Sequence, residues 1–244
     1  MAKITEPEAL EPEDLVRLSF SSGTTGIPKG IPFTAERLEL RSASAQRNWM
    51  QLTPGMSLLG LDTITGILAL FWSVTRGSTF YVSRSAQENL ELIQAKGIRA
   101  IETSPAKLKE LLEIATENET HPLQQIFIAG SLLNDALALD CAKVFGVNPS
   151  YLYGSTEVGA ASVGAFEPSE NNRLGRLVSD VELEIVDANL NPVSVGELGN
   201  IRYRKVGMPA EYWNSSSTHL KGFVDEWFYP GDEGWLSAEA YLYL

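Results

Sequence analysis

The sequence predicts an α/β protein: a parallel-dominated sheet flanked by helices, followed by a small antiparallel β subdomain. Three observations carry this expectation. Between residues 78 and 154, short apolar runs alternate with amphipathic stretches, a β-α-β-α-β-α-β order that calls for parallel strands and right-handed crossovers. Beyond residue 175 the period changes to strict apolar–polar alternation, which is the antiparallel pattern. The chain has 244 residues, 44% of them hydrophobic and 20% charged, which is enough to bury a sizeable core.

The elements follow in order. Residues 1–13 read as an exposed acidic lead-in, and residues 14–168 as the α/β part. "LVRLSFS" alternates as a strand does and runs directly into a glycine-rich stretch, "SGTTGIPKG". Thr34 is placed to cap a helix over residues 35–50. "STFYVS", residues 78–83, reads as a strand. Ser85 and Glu88 then form an S-x-x-E capping box for a helix that ends at Gly97. "IRAIE" is the next strand, and Ser104 with Pro105 opens a helix over "PAKLKELLEIATEN". "QIFIAG" is a strand, Asn134 caps "DALALDCAKVF", Gly146 ends it, and "SYLYG" is a further strand. The polar stretch "EPSENNRLG" marks a boundary, and residues 169–244 form the antiparallel part, with a turn at residues 189–192.

Composition excludes several classes. Net charge is −12, from 31 acidic against 19 basic residues, which argues against a nucleic-acid or anionic-membrane surface. The single cysteine, Cys141, rules out a disulfide framework and reads as a buried thiol. The N-terminal residues have no apolar core of the kind a leader needs. The longest apolar run, "GILALFWSV", is too short to span a bilayer. The expected location is cytoplasmic.

Three constellations could carry chemistry. In open parallel sheets ligands collect beyond the carboxyl ends of the strands. Those ends carry residues 21–30, Thr103–Ser104, Gly130–Ser131 and the stretch from Gly154 to Glu157. The first stretch offers glycine backbone N–H groups at Gly23 and Gly26, hydroxyls at Ser22, Thr24 and Thr25, and the charge of Lys29. That set suits a polyphosphate. The lysine stands between Pro28 and Gly30 rather than in G-x-x-x-x-G-K-[ST], so the P-loop reading fails; a glycine-serine linker is the bland alternative. In "YLYGSTEVG", Glu157 is a candidate Mg²⁺ ligand and Tyr153 an aromatic face for a base, against an ordinary strand-to-loop turn. In "WFYPGDEGW", Asp232 could accept from a ribose diol, against a simple β-turn.

Together "SSGTTGIPKG", "YGSTE" and "GELGNIRYR…WFYPGD", in this order, resemble the adenylate-forming superfamily: acyl- and aryl-CoA synthetases, nonribosomal peptide synthetase adenylation domains and luciferase. The resemblance runs from Asp14 to Leu244. It implies that Thr24, Thr25 and Lys29 hold the β- and γ-phosphates of ATP. It implies that Gly130 and Ser131 border adenine, Tyr153 stacks on it, Thr156 contacts the α-phosphate, Glu157 binds Mg²⁺ and Asp232 holds the ribose. The implied reaction is attack of a carboxylate on ATP to give an acyl-adenylate and pyrophosphate, with CoA or a carrier-protein thiol as acceptor. Thr156 and Glu157 would then be the catalytic pair. "GLDTITG" stands where members carry an aromatic–histidine pair, with Asp62 and Thr63 in those places, so an altered acid site is expected. Members also carry a C-terminal lid domain with a catalytic lysine, and the expectation for this chain is weak or absent turnover. The alternative expectation is a non-enzymatic remnant that acts as an interaction module. Apolar surface left uncovered would support a homo-oligomer or a complementing chain.

Overall fold

The computed structural model describes residues 9–21, 28–52, 54–117, 120–168, 172–213 and 222–244. A β-hairpin opens the chain: β1 (Leu15–Ser21) pairs antiparallel with β2 (Lys29–Thr34), with Ser21 opposite Lys29. The glycine-rich stretch therefore joins the two strand ends. Helix α1 (Ala35–Asn48) follows, then β3 (Gly55–Ser57) and α2 (Ile64–Thr75). Next come α3 (Ala86–Lys96), β4 (Ala100–Thr103), α4 (Pro105–Leu112), β5 (Gln125–Ala129), α5 (Asp135–Phe145) and β6 (Ser150–Ser155). The chain ends in β7 (Gly159–Ala165), β8 (Arg173–Leu177), β9 (Glu182–Val186), β10 (Gly199–Arg204), β11 (Phe223–Val224), β12 (Trp227–Phe228), β13 (Glu233–Leu236) and β14 (Tyr241–Tyr243).

Each helix begins where a side chain caps it. Thr34, Thr63, Ser85, Ser104 and Asn134 each accept a hydrogen bond from the backbone N–H three residues on, at 2.8–3.3 Å. Gly97 and Gly146 close α3 and α5 in the left-handed conformation, φ 60° and 68°. Glu88 completes its capping box one residue early, accepting from the N–H of Arg84.

Strands β3, β4, β5 and β6 are mutually parallel, as the β-α alternation requires. From β6 onward pairing is antiparallel, and the ladder continues without a gap through β7, β8, β14, β13 and β10. The α/β expectation thus holds, with the antiparallel part growing from the edge of the parallel one. The two sheet faces are covered separately. Ile126 and Ile128 of β5 point into a core shared with Leu90, Ile93, Leu108, Leu111 and Phe145 of α3, α4 and α5. Phe127 between them points the other way, into a core with Leu38 of α1, Leu68 and Trp72 of α2, and Ile31 and Phe33 of β2. That alternation is the period-2 signature of a strand buried on both faces.

Two expectations are corrected. Residues 78–83 form no strand: the open side of β4 is taken by β3, three residues that no pattern announces, and Val82 is left exposed. The helix after Ser104 ends at Leu112 rather than running to residue 118. The run "GILALFWSV" lies within α2, packed on α1 and on the sheet. Among the described residues no helix is long and apolar enough to cross a membrane. Phe71 and Val74 on α2 are exposed, and a groove of about 690 Å³ lies between α1 and α2, walled by Val16, Leu38 and Phe71.

Candidate functional site

The parallel register of β4, β5 and β6 brings their carboxyl ends to one edge. There Gly130, in the left-handed region at φ 91°, ends β5, and Ser131 stands exposed beside it. The turn after β6 presents Thr156 and Glu157. Ser22, Gly23, Thr24, Thr25 and Gly26 lie outside the described residues, but the strand that follows them is placed: Lys29 opens β2.

Two links tie the dispersed motifs into one site. The first is Tyr212. Its hydroxyl donates to Glu157 Oε1 at 3.0 Å, and Lys29 Nζ lies over its ring, 4.9 Å from the centroid. Lys29 from the hairpin and Glu157 from the β6 turn, 128 positions apart in the sequence, therefore meet on one phenol. The second is the hydrogen bond from the Tyr153 hydroxyl to Asp232 Oδ2 at 2.7 Å. Asp232 follows Gly231, whose φ of 94° makes the turn between β12 and β13, and its carbonyl accepts from Ile201 N–H at 3.0 Å. Burial, then the neighbouring Tyr203 and Asp232, hold the Tyr153 phenol protonated far above its ordinary range.

Arg41 of α1 positions the turn. One guanidinium nitrogen, Nη2, donates to the carbonyls of Thr156 at 2.9 Å and Glu157 at 2.7 Å. Its flat face lies over Phe33. Burial lowers its pKa to about 10, which leaves it charged at neutral pH. Gly159 accommodates it: a Cβ there would sit 1.8 Å from Nη1, and φ is 99°. Lys205, also buried, donates to Ser44 at 3.1 Å and pairs with Asp180 at 3.1 Å; burial pulls it down to about 8.

Behind the edge lies a cavity of about 130 Å³. Gly130, Gly154 and Thr156 line it from the strand ends, Ile64 and Leu68 of α2 and Met50 form apolar walls, and Glu102 of β4 also lines it. Thr63, one of the two residues that replace the aromatic–histidine pair, caps α2, while Asp62 is exposed.

Among the described residues no three His, Cys, Asp or Glu side chains gather as a metal cage. Glu157 alone, with phosphate oxygens and waters completing the shell, is the arrangement that suits Mg²⁺. Of the residues singled out from the sequence, Lys29, Gly130, Tyr153, Gly154, Thr156, Glu157 and Asp232 are placed on or beside this edge. Tyr212, Lys205 and Glu102 were not foreseen. Arg41 had a signal: it stands on the apolar stripe of α1 between Leu38 and Ala45, where a charge is out of pattern.

A protein-family model described as AMP-binding enzyme matches residues 2–213. Tyrocidine synthase 3 of Brevibacillus parabrevis is 29% identical over 240 residues, 92% of this chain and 4% of that protein. A fatty acid–[acyl-carrier-protein] ligase of Streptomyces coeruleorubidus is 24% identical over 98% of this chain and 49% of its own length. The solved O-succinylbenzoate coenzyme A synthetase of Bacillus subtilis, in complex with ATP and magnesium ion, superposes with a TM-score of 0.85 at 26% identity. That match covers 99% of this chain and 52% of that one. The chain thus spans about half the length of these two ligases.

Proposed function

The chain belongs to the AMP-binding enzyme family, and from that premise we propose that it carries the nucleotide site of an AMP-forming acid ligase. One observation carries the reading most: Lys29 and Glu157, a cation for phosphate and a carboxylate for Mg²⁺, are brought together on Tyr212. In this reading Thr24, Thr25 and Lys29 hold the β- and γ-phosphates of ATP. Thr156 meets the α-phosphate, Gly130 and Tyr153 border adenine, and Asp232 turns Oδ1 toward the ribose hydroxyls while Tyr153 holds Oδ2.

The reaction is an in-line displacement. A carboxylate oxygen of the acid forms a bond to the α-phosphorus, the bond to the β-phosphate oxygen breaks, and its electron pair leaves on pyrophosphate. A thiol of CoA or a carrier protein then displaces AMP from the acyl carbon. Mg²⁺ held by Glu157 would supply neutralisation of the pyrophosphate charge. The chain's own residues supply position and fixed charge, the main terms in such transfers. Arg41 fixes the Thr156 and Glu157 backbone before any ligand arrives. The open apolar groove between α1 and α2 supports self-association or a complementing chain, which sedimentation over a range of concentrations reads directly.

Calorimetric titration with ATP and Mg²⁺ tests the site, and carboxylate-dependent exchange of pyrophosphate into ATP tests the chemistry. Micromolar to millimolar binding is expected, weakened at least tenfold by Lys29→Ala and by Asp232→Ala. Absence of heat at millimolar ATP overturns the reading.

A further inference from the structure

Two residues that line the 130 Å³ cavity each carry an unmatched buried polar atom. Among the described residues, Glu102 Oε2 and Arg41 Nη1 have no hydrogen-bond partner, although the two residues are only 5% and 4% exposed. Buried polar groups are nearly always satisfied, and an orphan of this kind points to a missing partner. The cavity that both residues line is otherwise walled by Met50, Ile64, Leu68 and Leu152.

The two orphans belong to opposite ends of the cavity. Arg41 is bound to the Thr156–Glu157 turn, at the nucleotide edge. Glu102 lies deeper. It is level with Phe127 in the parallel register, three residues before Gly130, or about 10 Å at roughly 3.3 Å per residue. The helix on the same face gives a second ruler. Glu102 Oε1 accepts from Trp49 Nε1 at 2.8 Å, and Trp49 caps α1 eight residues beyond Arg41, about 12 Å at 1.5 Å per residue.

The size of the cavity limits its occupant. It is close to the roughly 150 Å³ that admits a benzene ring in an engineered apolar cavity. A long alkyl chain does not fit it. The partner at the deep end must also suit Glu102 in both protonation states, because burial pushes its pKa to about 8, near neutrality. A hydroxyl both donates and accepts, so it matches the carboxyl and the carboxylate alike.

We propose that this cavity receives a small carboxylic acid, of about aromatic-ring size, with a hydroxyl at the end remote from its carboxylate, and that Glu102 is the residue that selects the hydroxyl. The inference rests on the nucleotide-site reading, since the acid's carboxylate must lie beside Arg41 and Thr156 for adenylation. Trp49, which lines the same cavity, holds Glu102 Oε1 through its indole N–H and leaves Oε2 as the oxygen without a partner.

The test uses 5′-O-(N-acylsulfamoyl)adenosines, stable mimics of acyl-adenylates whose binding needs no turnover. Affinities are measured for the benzoyl, 3-hydroxybenzoyl and 4-hydroxybenzoyl compounds, and for the pentanoyl and 5-hydroxypentanoyl pair. At least one hydroxylated compound is expected to bind tenfold or more tighter than its parent. Glu102→Leu should bring that ratio within twofold, and Glu102→Gln, whose amide still donates and accepts, should restore part of it. Thermal unfolding of both variants shows that the loss is not one of folding. Equal affinities within every pair, or a preference that survives in Glu102→Leu, overturn the inference and leave the nucleotide site standing. Failure of every compound and of ATP to bind overturns both.

Discussion

Tyr212 shows how one side chain joins motifs that the sequence keeps apart. Its ring face meets Lys29 and its hydroxyl meets Glu157, so deleting the hydroxyl should loosen the carboxylate while leaving the ring in place. Tyr212→Phe is expected to raise the dissociation constant for ATP in the presence of Mg²⁺ about tenfold, the size of one hydrogen bond to a charged group. Binding of ATP without Mg²⁺ should change much less, and calorimetry with and without the metal separates the two. Glu102 carries a second prediction at this scale. Its pKa in the folded chain is about 8 against an ordinary 4.5. Between those values the folded chain keeps a proton that the unfolded chain has released, so the contribution of Glu102 to stability is greatest below pH 4.5 and falls as pH rises to 8. The slope is at most about 1.4 kcal/mol per pH unit. Glu102→Gln lacks that titration. Urea unfolding should therefore show the variant gaining on the parent chain from pH 5 to pH 8. The residues legible in the sequence were those with unusual neighbours, such as Lys29 among glycines and Asp232 after Pro-Gly. Tyr212 and Glu102 act through partners far away in the chain, and no local pattern marks them.

Among the elements, those with chemical punctuation were legible. The helices that begin at Ser85, Ser104 and Asn134 each have a capping side chain, and two of them stop at a glycine. The elements that escaped lack such signals or have competing ones. Strand β2 follows a glycine-rich sequence read for its phosphate chemistry rather than for pairing, β3 is three residues long, and α2 is apolar on most of its surface, so its period is hidden. Residues 78–83 show the converse failure: a good β pattern forms no strand, although β3 stands at the end of the sheet. The joint between β7 and β8 was also not legible, and it tests how tightly the ladders are built. Gly175 of β8 has φ 101°, and a Cβ there would lie 2.3 Å from the backbone of Val163 and Gly164. Neither neighbour can move without breaking the pairing of Ser162 with Leu177 and Val163 with Arg176. Gly175→Ala is expected to cost about 2–4 kcal/mol, measured as a lowered urea midpoint, because backbone strain and overlap act together.

At the scale of the whole molecule, the change of pattern near residue 170 marks two styles of pairing within one sheet. Strand β8 pairs with β7 on one side and β14 on the other, and β13 carries the ladder on to β10. Ile185, Ile201, Tyr203, Phe228 and Leu242 of the antiparallel part share a single core with Ile101, Ile126 and Ile128 of the parallel part. The proposed nucleotide site draws on both, since Tyr153 of β6 is bonded to Asp232 beside β13. A core shared in this way should make the two parts unfold together. Urea transitions followed by far-ultraviolet circular dichroism and by tryptophan fluorescence are expected to coincide. The fluorescence samples both regions, through Trp49 and Trp72 on one side and Trp227 and Trp235 on the other. Coincidence of probes is the mark of a single cooperative unit. Two resolved transitions would show instead that the parallel and antiparallel parts hold together independently, and that the bond between Tyr153 and Asp232 spans a joint able to open while each part stays folded.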